Sequence, residues 1–178
     1  MGDGVAGVYP GLRLRPLGLG DEQEFLAAHE VMKADDFEFG FEVTPGMPWP
    51  EYVATLEDWR CGRHLPPFRV AATYLVAEAQ GHIVGRTSIR HRLTESLRRE
   101  GGHIGYCVLP RYRRRGYARE ILRQSLVVAR AIGIDRVLVT CDDDNAVSAK
   151  VIESCGGLLS SVEPVGPGRA PKRRYWID

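Results

Sequence analysis

The run Gly105-Tyr106-Cys107-Val108-Leu109-Pro110-Arg111-Tyr112-Arg113-Arg114-Arg115-Gly116-Tyr117-Ala118 places four arginines in five positions, directly before a small-residue Gly-x-Ala step. The chemistry this suits is anion binding. A strand ending at Pro110, a basic turn and a helix opening at Ala118 bring unpaired backbone N–H groups and the positive end of a helix dipole to one spot. Gly116 lacks the Cβ that would hold a phosphate off the backbone. Ala118 lets the helix start pack closely, and the guanidinium forks of Arg113 and Arg114 suit a pyrophosphate. The pattern is neither the phosphate loop ending in Gly-Lys-Ser/Thr nor the dinucleotide Gly-x-Gly-x-x-Gly fingerprint. Two plainer readings stand beside it. Arg111–Arg115 is a solvated basic turn in one, and a nucleic-acid patch in the other. Against the second, Tyr112 and Tyr117 are its only aromatics, and the whole chain carries a formal charge of only +1.

The elements around this run follow from periodicity. Leu12-Arg13-Leu14-Arg15 alternates as a half-buried strand does, and Pro16 to Gly20 breaks it. Asp21 with Glu24 resembles a capping box for a helix through Phe25, Leu26, His29 and Met32. An acidic, aromatic connection follows, in which Asp35, Asp36, Glu38 and Glu42 interleave with Phe37, Phe39 and Phe41 before the breakers Pro45, Gly46, Pro48 and Pro50. Residues 50–61 read as a second helix. Ala72–Ala77 and Ile83–His91 read as strands joined through Glu78-Ala79-Gln80-Gly81, and Thr94–Gly102 as a polar connection. His103–Leu109 is the strand before the basic turn. A helix runs from about Ala118 to Ile132, with Ile121, Leu122, Ser125, Leu126 and Ala129 on one face and Gly133 as its stop. Val137–Thr140 has the continuous apolar character of a strand buried on both faces. Residues 103–140 then form a strand–helix–strand crossover, parallel and right-handed by strong precedent. A helix over 146–154 stops at Gly156-Gly157, and runs at Leu158–Val162 and Arg174–Asp178 end the sequence.

Composition limits what else the chain does. With 178 residues, 44% hydrophobic and 26% charged, it reads as one globular domain over 1–178, with residues 1–11 as a flexible lead-in. Near-neutral charge removes any global pull toward nucleic acid or a membrane surface. Only Lys33, Lys150 and Lys172 are lysines, so Arg supplies 21 of 24 cationic side chains, a bias that favours phosphate or carboxylate recognition. Cys61, Cys107, Cys141 and Cys155 form no CxxC pair, so the sequence indicates neither a metal site nor a disulfide framework, and reduced thiols in a cytoplasmic protein are expected. No run approaches the ~18 apolar residues of a membrane span.

Arg113-x-x-Gly116-x-Ala118 resembles the Arg/Gln-x-x-Gly-x-Gly/Ala signature of the GNAT superfamily of acyl-CoA N-acyltransferases. The likeness extends to Gly102-His103-Ile104-Gly105-Tyr106, to Cys141–Asn145 with Ser148, to Glu153-Ser154-Cys155-Gly156-Gly157 and to Arg173–Ile177, as in a bacterial branch of predicted acetyltransferases. It covers about residues 70–178; the first 65 match only in the order of elements. The resemblance implies a mixed α/β (α+β) fold: a mostly antiparallel central sheet with helices on both faces and a splayed parallel strand pair. It also implies acetyl-CoA as cosubstrate.

Carried over residue by residue, the resemblance gives Cys107, Val108 and Leu109 to the pantetheine arm. Arg113, Arg114, Arg115, Gly116, Tyr117 and Ala118 go to the pyrophosphate. Asn145, with Ser148 and Lys150 nearby, goes to pantetheine again, although Asn145 is also a good N-cap for its own helix. A backbone N–H at Val108 is expected to stabilise the oxyanion. The Tyr that many relatives place on the last helix aligns with Ile152, which cannot donate a proton. Tyr106 and His103 are the substitutes, and strand alternation sets them on opposite faces. For each the plainer alternative is a core residue with its polar group satisfied. The expected acceptor is a primary amine, on a small molecule or a peptide N-terminus, drawn as a cation to the acidic 35–42 stretch or, alternatively, ignoring a stretch that is merely an edge strand. Glu78 and His91 are further candidates. A homodimer is implied by the relatives alone. The competing function is a non-catalytic acyl-CoA-binding regulatory module.

Overall fold

The computed structural model describes residues 11–178, so the lead-in expected over 1–11 lies, apart from Gly11, outside the described residues. Strand β1 (Arg13–Arg15) leads through a 3-10 turn to helix α1 (Glu22–Lys33), and α2 spans Trp49–Arg60. Strands β2 (Ala72–Ala79) and β3 (His82–Arg90) form a hairpin. Its two turn residues, Gln80 and Gly81, both have positive φ, the geometry that matches the twist of paired strands. The short helix α3 (Glu95–Glu100) precedes β4 (Ile104–Val108), then come α4 (Tyr117–Ala131), β5 (Val137–Asp142), α5 (Ala146–Ser154), β6 (Leu158–Glu163) and β7 (Lys172–Ile177).

Every pairing registered within the two sheet portions, β1-β2-β3-β4 and β5-β7-β6, is antiparallel. The portions meet where β4 and β5 run parallel, the expected mixed α/β architecture. Helices cover both faces. On one, Phe25 and Met32 of α1 and Trp49, Tyr52 and Trp59 of α2 pack on Tyr74, Val76, Ile83, Cys107 and Leu109. Phe25 anchors this core, with ring centroids 5.3 to 5.7 Å from Phe39, Trp49 and Tyr52. On the other face, Leu122, Leu126 and Ala129 of α4 and Ile152 of α5 pack on Ile89, Ile104, Val137, Val139 and Tyr175. Ser125, on the apolar stripe of α4, is fully buried because its Oγ donates to Thr87 Oγ1 at 2.9 Å.

Several local expectations need correction. Asp21 does not cap α1: its carboxylate accepts the Gly18 N–H and pairs with Arg15, a charge partner that outbids the helix end. Helix α2 starts at Trp49, with Pro50 inside its first turn, where the missing N–H costs nothing. The polar stretch 94–102 contains α3, whose first turn is capped by the Thr94 hydroxyl accepting from Leu97 N. Strand β3 stops at Arg90, so His91 lies just beyond it, with Nε2 against Thr73 Oγ1 at 2.8 Å. All four cysteines are free. Among the described residues, no helix is long and apolar enough to cross a membrane, and no group of three or more His, Cys, Asp or Glu is arranged to hold a metal ion.

Candidate functional site

The site grows from the point where β4 and β5 part. At its base His103 N donates to Leu138 O at 2.7 Å, and Leu138 N donates to His103 Nδ1 at 2.9 Å. Gly102 makes that closeness feasible. Its φ is +62°, and a Cβ there would sit 2.4 Å from Leu138 O. Beyond this clasp no further β4–β5 pairing is registered. Alternation then decides which β4 groups remain free. Arg90 N donates to His103 O and Leu109 N donates to Val84 O, so the odd-numbered residues turn their backbone groups toward β3, and Tyr106 and Val108 turn theirs into the gap. Cys107 and Leu109, expected to offer backbone groups there, are therefore committed to the sheet.

The gap widens into a cleft of about 680 Å³. One wall carries Tyr106, Cys107 and Val108. The floor of one end is Arg113, Arg114, Gly116, Tyr117 and Ala118, and the far wall is Asn145, Val147, Ser148 and Val151. Arg114 (φ +61°) and Gly116 (φ +79°) both hold left-handed backbone conformations between the end of β4 and the first turn of α4. Such turns aim successive N–H groups inward, and the dipole of the fifteen-residue α4 adds positive potential. Arg113 is not a free fork. Its Nε donates to Val108 O at 3.1 Å and its guanidinium pairs with Asp35, tying the basic turn to the strand and to the end of α1. Arg114 and Arg115 have no carboxylate within salt-bridge distance among the described residues; Arg114 lines the cleft, whereas Arg115 lies over the Tyr112 ring instead.

Asn145 Oδ1 accepts from Ser148 N at 3.0 Å, so it caps α5, and its amide nitrogen is the group left to face the cleft it lines. Lys150 is exposed and outside the cleft. Tyr106 Oη and Ser148 Oγ are 3.2 Å apart, which bridges the two walls. Burial pushes the Tyr106 hydroxyl up to about 12, so it is protonated at neutral pH. His103 behaves differently from a proton carrier. Burial, with Arg98 and Arg90 nearby, pushes it down to about 4, and its Nδ1 must stay unprotonated to accept from Leu138. That corrects its candidacy: it is the clasp at the base of the gap. Ile152 is fully buried in the core beneath α5, so neither it nor any donor at that position faces the cleft.

Met32, Asp35 and Phe37 bring the end of α1 and the start of the acidic stretch to the cleft. Tyr112, named from the sequence only as an aromatic of the basic run, also lines it, as do Arg119, Val147 and Val151, which the sequence did not single out. The i, i+4 spacing of Val147 and Val151, beside Ser148 on the same helix face, is the signal that could have found the last two. Glu78 is occupied by Arg13 and Arg15 at the sheet edge, away from the cleft.

A family model described as an acetyltransferase (GNAT) domain matches residues 11–157. Among solved structures, spermidine N-acetyltransferase from Vibrio cholerae in complex with CoA and spermine is similar over 93% of this chain and 94% of its own, with 18% identity and a TM-score of 0.63. Mycobacterium smegmatis RimJ in complex with CoA-disulfide is similar over 95% and 82%, at 20% identity and TM-score 0.67. An N-acetyltransferase from Staphylococcus aureus Mu50 is similar over 94% and 98%, at 16% identity and TM-score 0.65. Among curated proteins, none matches the sequence.

Proposed function

Since the chain belongs to the GNAT acetyltransferase family, we propose that it transfers an acetyl group from acetyl-CoA to a primary amine, on a small molecule or a peptide N-terminus, by direct attack on the thioester. The observation that carries this reading is the cleft: the backbone groups of Tyr106 and the N–H of Val108 turned into it on one side, and the left-handed turn at Arg114 and Gly116 at its end. That the similar Vibrio and Mycobacterium structures hold CoA supports it.

In this reading the backbone N–H groups between Arg114 and Ala118 and the α4 dipole hold the diphosphate, with the Arg114 fork alongside. Val108 N–H donates to the oxyanion as it forms, a contribution worth about 2.7–4 kcal/mol in enzymes where such a donor has been removed. As the N–C bond forms and the C–S bond breaks, the nitrogen gives up one proton to water, the sulfur takes one from Tyr106 Oη, and the Tyr106 phenolate regains its proton from water. Holding two substrates in line supplies much of the remaining acceleration. The non-catalytic acyl-CoA-binding reading draws on one specific observation: His103, the other proton carrier expected beside Tyr106, is engaged with Leu138. Free-thiol release from acetyl-CoA with a panel of primary amines decides between them. Turnover on at least one amine is expected. Binding of acetyl-CoA without turnover on any would favour the second reading, and no binding refutes both.

A further inference from the structure

A second cavity, of about 270 Å³, lies on the α1–α2 side of the sheet. Its floor is Ala72 and Tyr74 of β2 with Ser88 and Arg90 of β3, and Phe41 and Trp59 wall it. Three guanidiniums converge here. Arg86, two and four residues from Ser88 and Arg90 on the same face of β3, is nearly wholly buried and donates to the carbonyls of Phe39, Glu38 and Gly105. Arg90 Nη1 donates to the carbonyls of Gly101 and Gly102. Neither has a carboxylate within salt-bridge distance among the described residues. Arg69 is held between the Phe41 and Trp59 rings, 4.9 Å from each centroid, with Glu42 on its outer side at 2.8 Å. Burial, with the charges of Arg86 and Arg69 nearby, pushes Arg90 down to about 10.

The acidic stretch that the sequence offered as a lure for cations neutralises only Arg69 of these three guanidiniums. Asp35 pairs with Arg113, Glu42 with Arg69, and Glu38, the one carboxylate in the lining, is solvent-exposed. The cavity lies beside the part of the reaction cleft that opens on the α1–α2 side. A Cβ built on Gly105 would lie 3.6 Å from both Nη1 and Nη2 of Arg90 and 3.9 Å from Arg86 Nη1, and Cys107, two residues on along the same face of β4, lines the cleft, as does Phe37, whose ring is 4.6 Å from the Arg86 guanidinium. Gly105, with no side chain, is the position between the two spaces. The volume is near the low end of the roughly 300–1,000 Å³ typical of small-molecule pockets, which limits the occupant to a small body.

We propose that this cavity anchors the acceptor, and that the acceptor is a small amino acid: its carboxylate sits on Arg90, its apolar side chain lies against Phe41 and Trp59, and its amine extends past Gly105 toward the thioester. The inference rests on the acetyl-transfer reading above and reverses the expected charge preference, from a cationic amine to one bearing an anion. A planar guanidinium fork matches a carboxylate in a way that a polyamine or an amino acid amide cannot exploit.

The test uses the full chain with saturating acetyl-CoA and three acceptor sets: leucine, methionine and phenylalanine; their primary amides; and spermidine with putrescine. The acids are expected to exceed their amides in kcat/KM by roughly 30-fold or more, through KM, and Arg90→Gln is expected to collapse that ratio to within about threefold. Amides equal to acids, or polyamines as the best acceptors, would overturn the proposal, and the wild-type ratio alone is decisive if the variant does not fold. If no amine is acetylated, the transfer reading fails and calorimetry on the CoA-loaded protein still decides the pocket. N-acetylphenylalanine is then expected to bind roughly tenfold more tightly than its amide, and equal binding overturns the proposal.

Discussion

Acid should unfold this protein partly through His103, and replacing that one residue should remove that part of the response. His103 Nδ1 accepts the Leu138 N–H at 2.9 Å and loses this capacity when protonated. Burial, with Arg98 and Arg90 nearby, therefore holds it at about 4 instead of the ordinary 6.5. Between those values the unfolded chain binds a proton that the folded chain refuses, so stability rises with pH across the window, is complete above about 6.5, and is lost as pH falls toward 4. At ~1.4 kcal/mol per unit, the distance from 6.5 to 4 is worth about 3 kcal/mol in full, and about 2 kcal/mol of it is lost between pH 7 and 4.5. His103→Asn keeps an acceptor for Leu138 N and does not titrate. Urea unfolding at both pH values is expected to show wild type losing about 2 kcal/mol more than the variant, because the other histidines and the carboxylates contribute equally to both. Losses equal to within about 0.5 kcal/mol would refute the clasp assignment. Acetyl-transfer activity of His103→Asn that stays within a few-fold of wild type at pH 7 would separate the clasp from a proton carrier.

Three further outcomes are expected. Gly116→Val puts a β-branched side chain at φ +79°, and calorimetry should show acetyl-CoA affinity falling at least tenfold while thermal unfolding shifts by only several degrees, since the backbone strain is about 1–2 kcal/mol. Tyr106→Phe should lower kcat by roughly 100-fold or more with acetyl-CoA affinity unchanged, as read from steady-state kinetics beside direct binding. Gly102→Ala should destabilise by about 3 kcal/mol in urea melts, because its Cβ would lie 2.4 Å from Leu138 O at a φ of +62°.

Where side-chain periodicity carries the information, the sequence anticipates the molecule well. The stripe Ile121, Leu122, Leu126 and Ala129 is the buried face of α4, the alternation through β4 does set Cys107 against α1 and Tyr106 toward the other core, and the basic turn does line the cleft. What is lost is whatever depends on a distant partner. Asp21 carries a capping pattern, yet Arg15 takes its carboxylate. Helix α3 has no buried residue and hence no apolar stripe to announce it. His103 and Tyr106 look equally able to move a proton until Leu138 engages one and Ser148 meets the other. The acids of 35–42 suggest a cation site only while the arginines facing them, Arg113 and Arg69, are unseen. Arg86 and Arg90 give no warning at all. In an alternating strand an arginine reads as the solvent side, whereas here both face the α1–α2 layer and are held by backbone carbonyls.

The central claim is that the turn between β4 and α4 cradles a diphosphate, and a crystal structure grown with CoA tests it most directly. Diphosphate oxygens are predicted within about 3 Å of backbone nitrogens between Arg114 and Ala118, with pantetheine running along Tyr106 and Val108. CoA seated elsewhere on the molecule, or a cleft that stays vacant in saturating CoA, would contradict it.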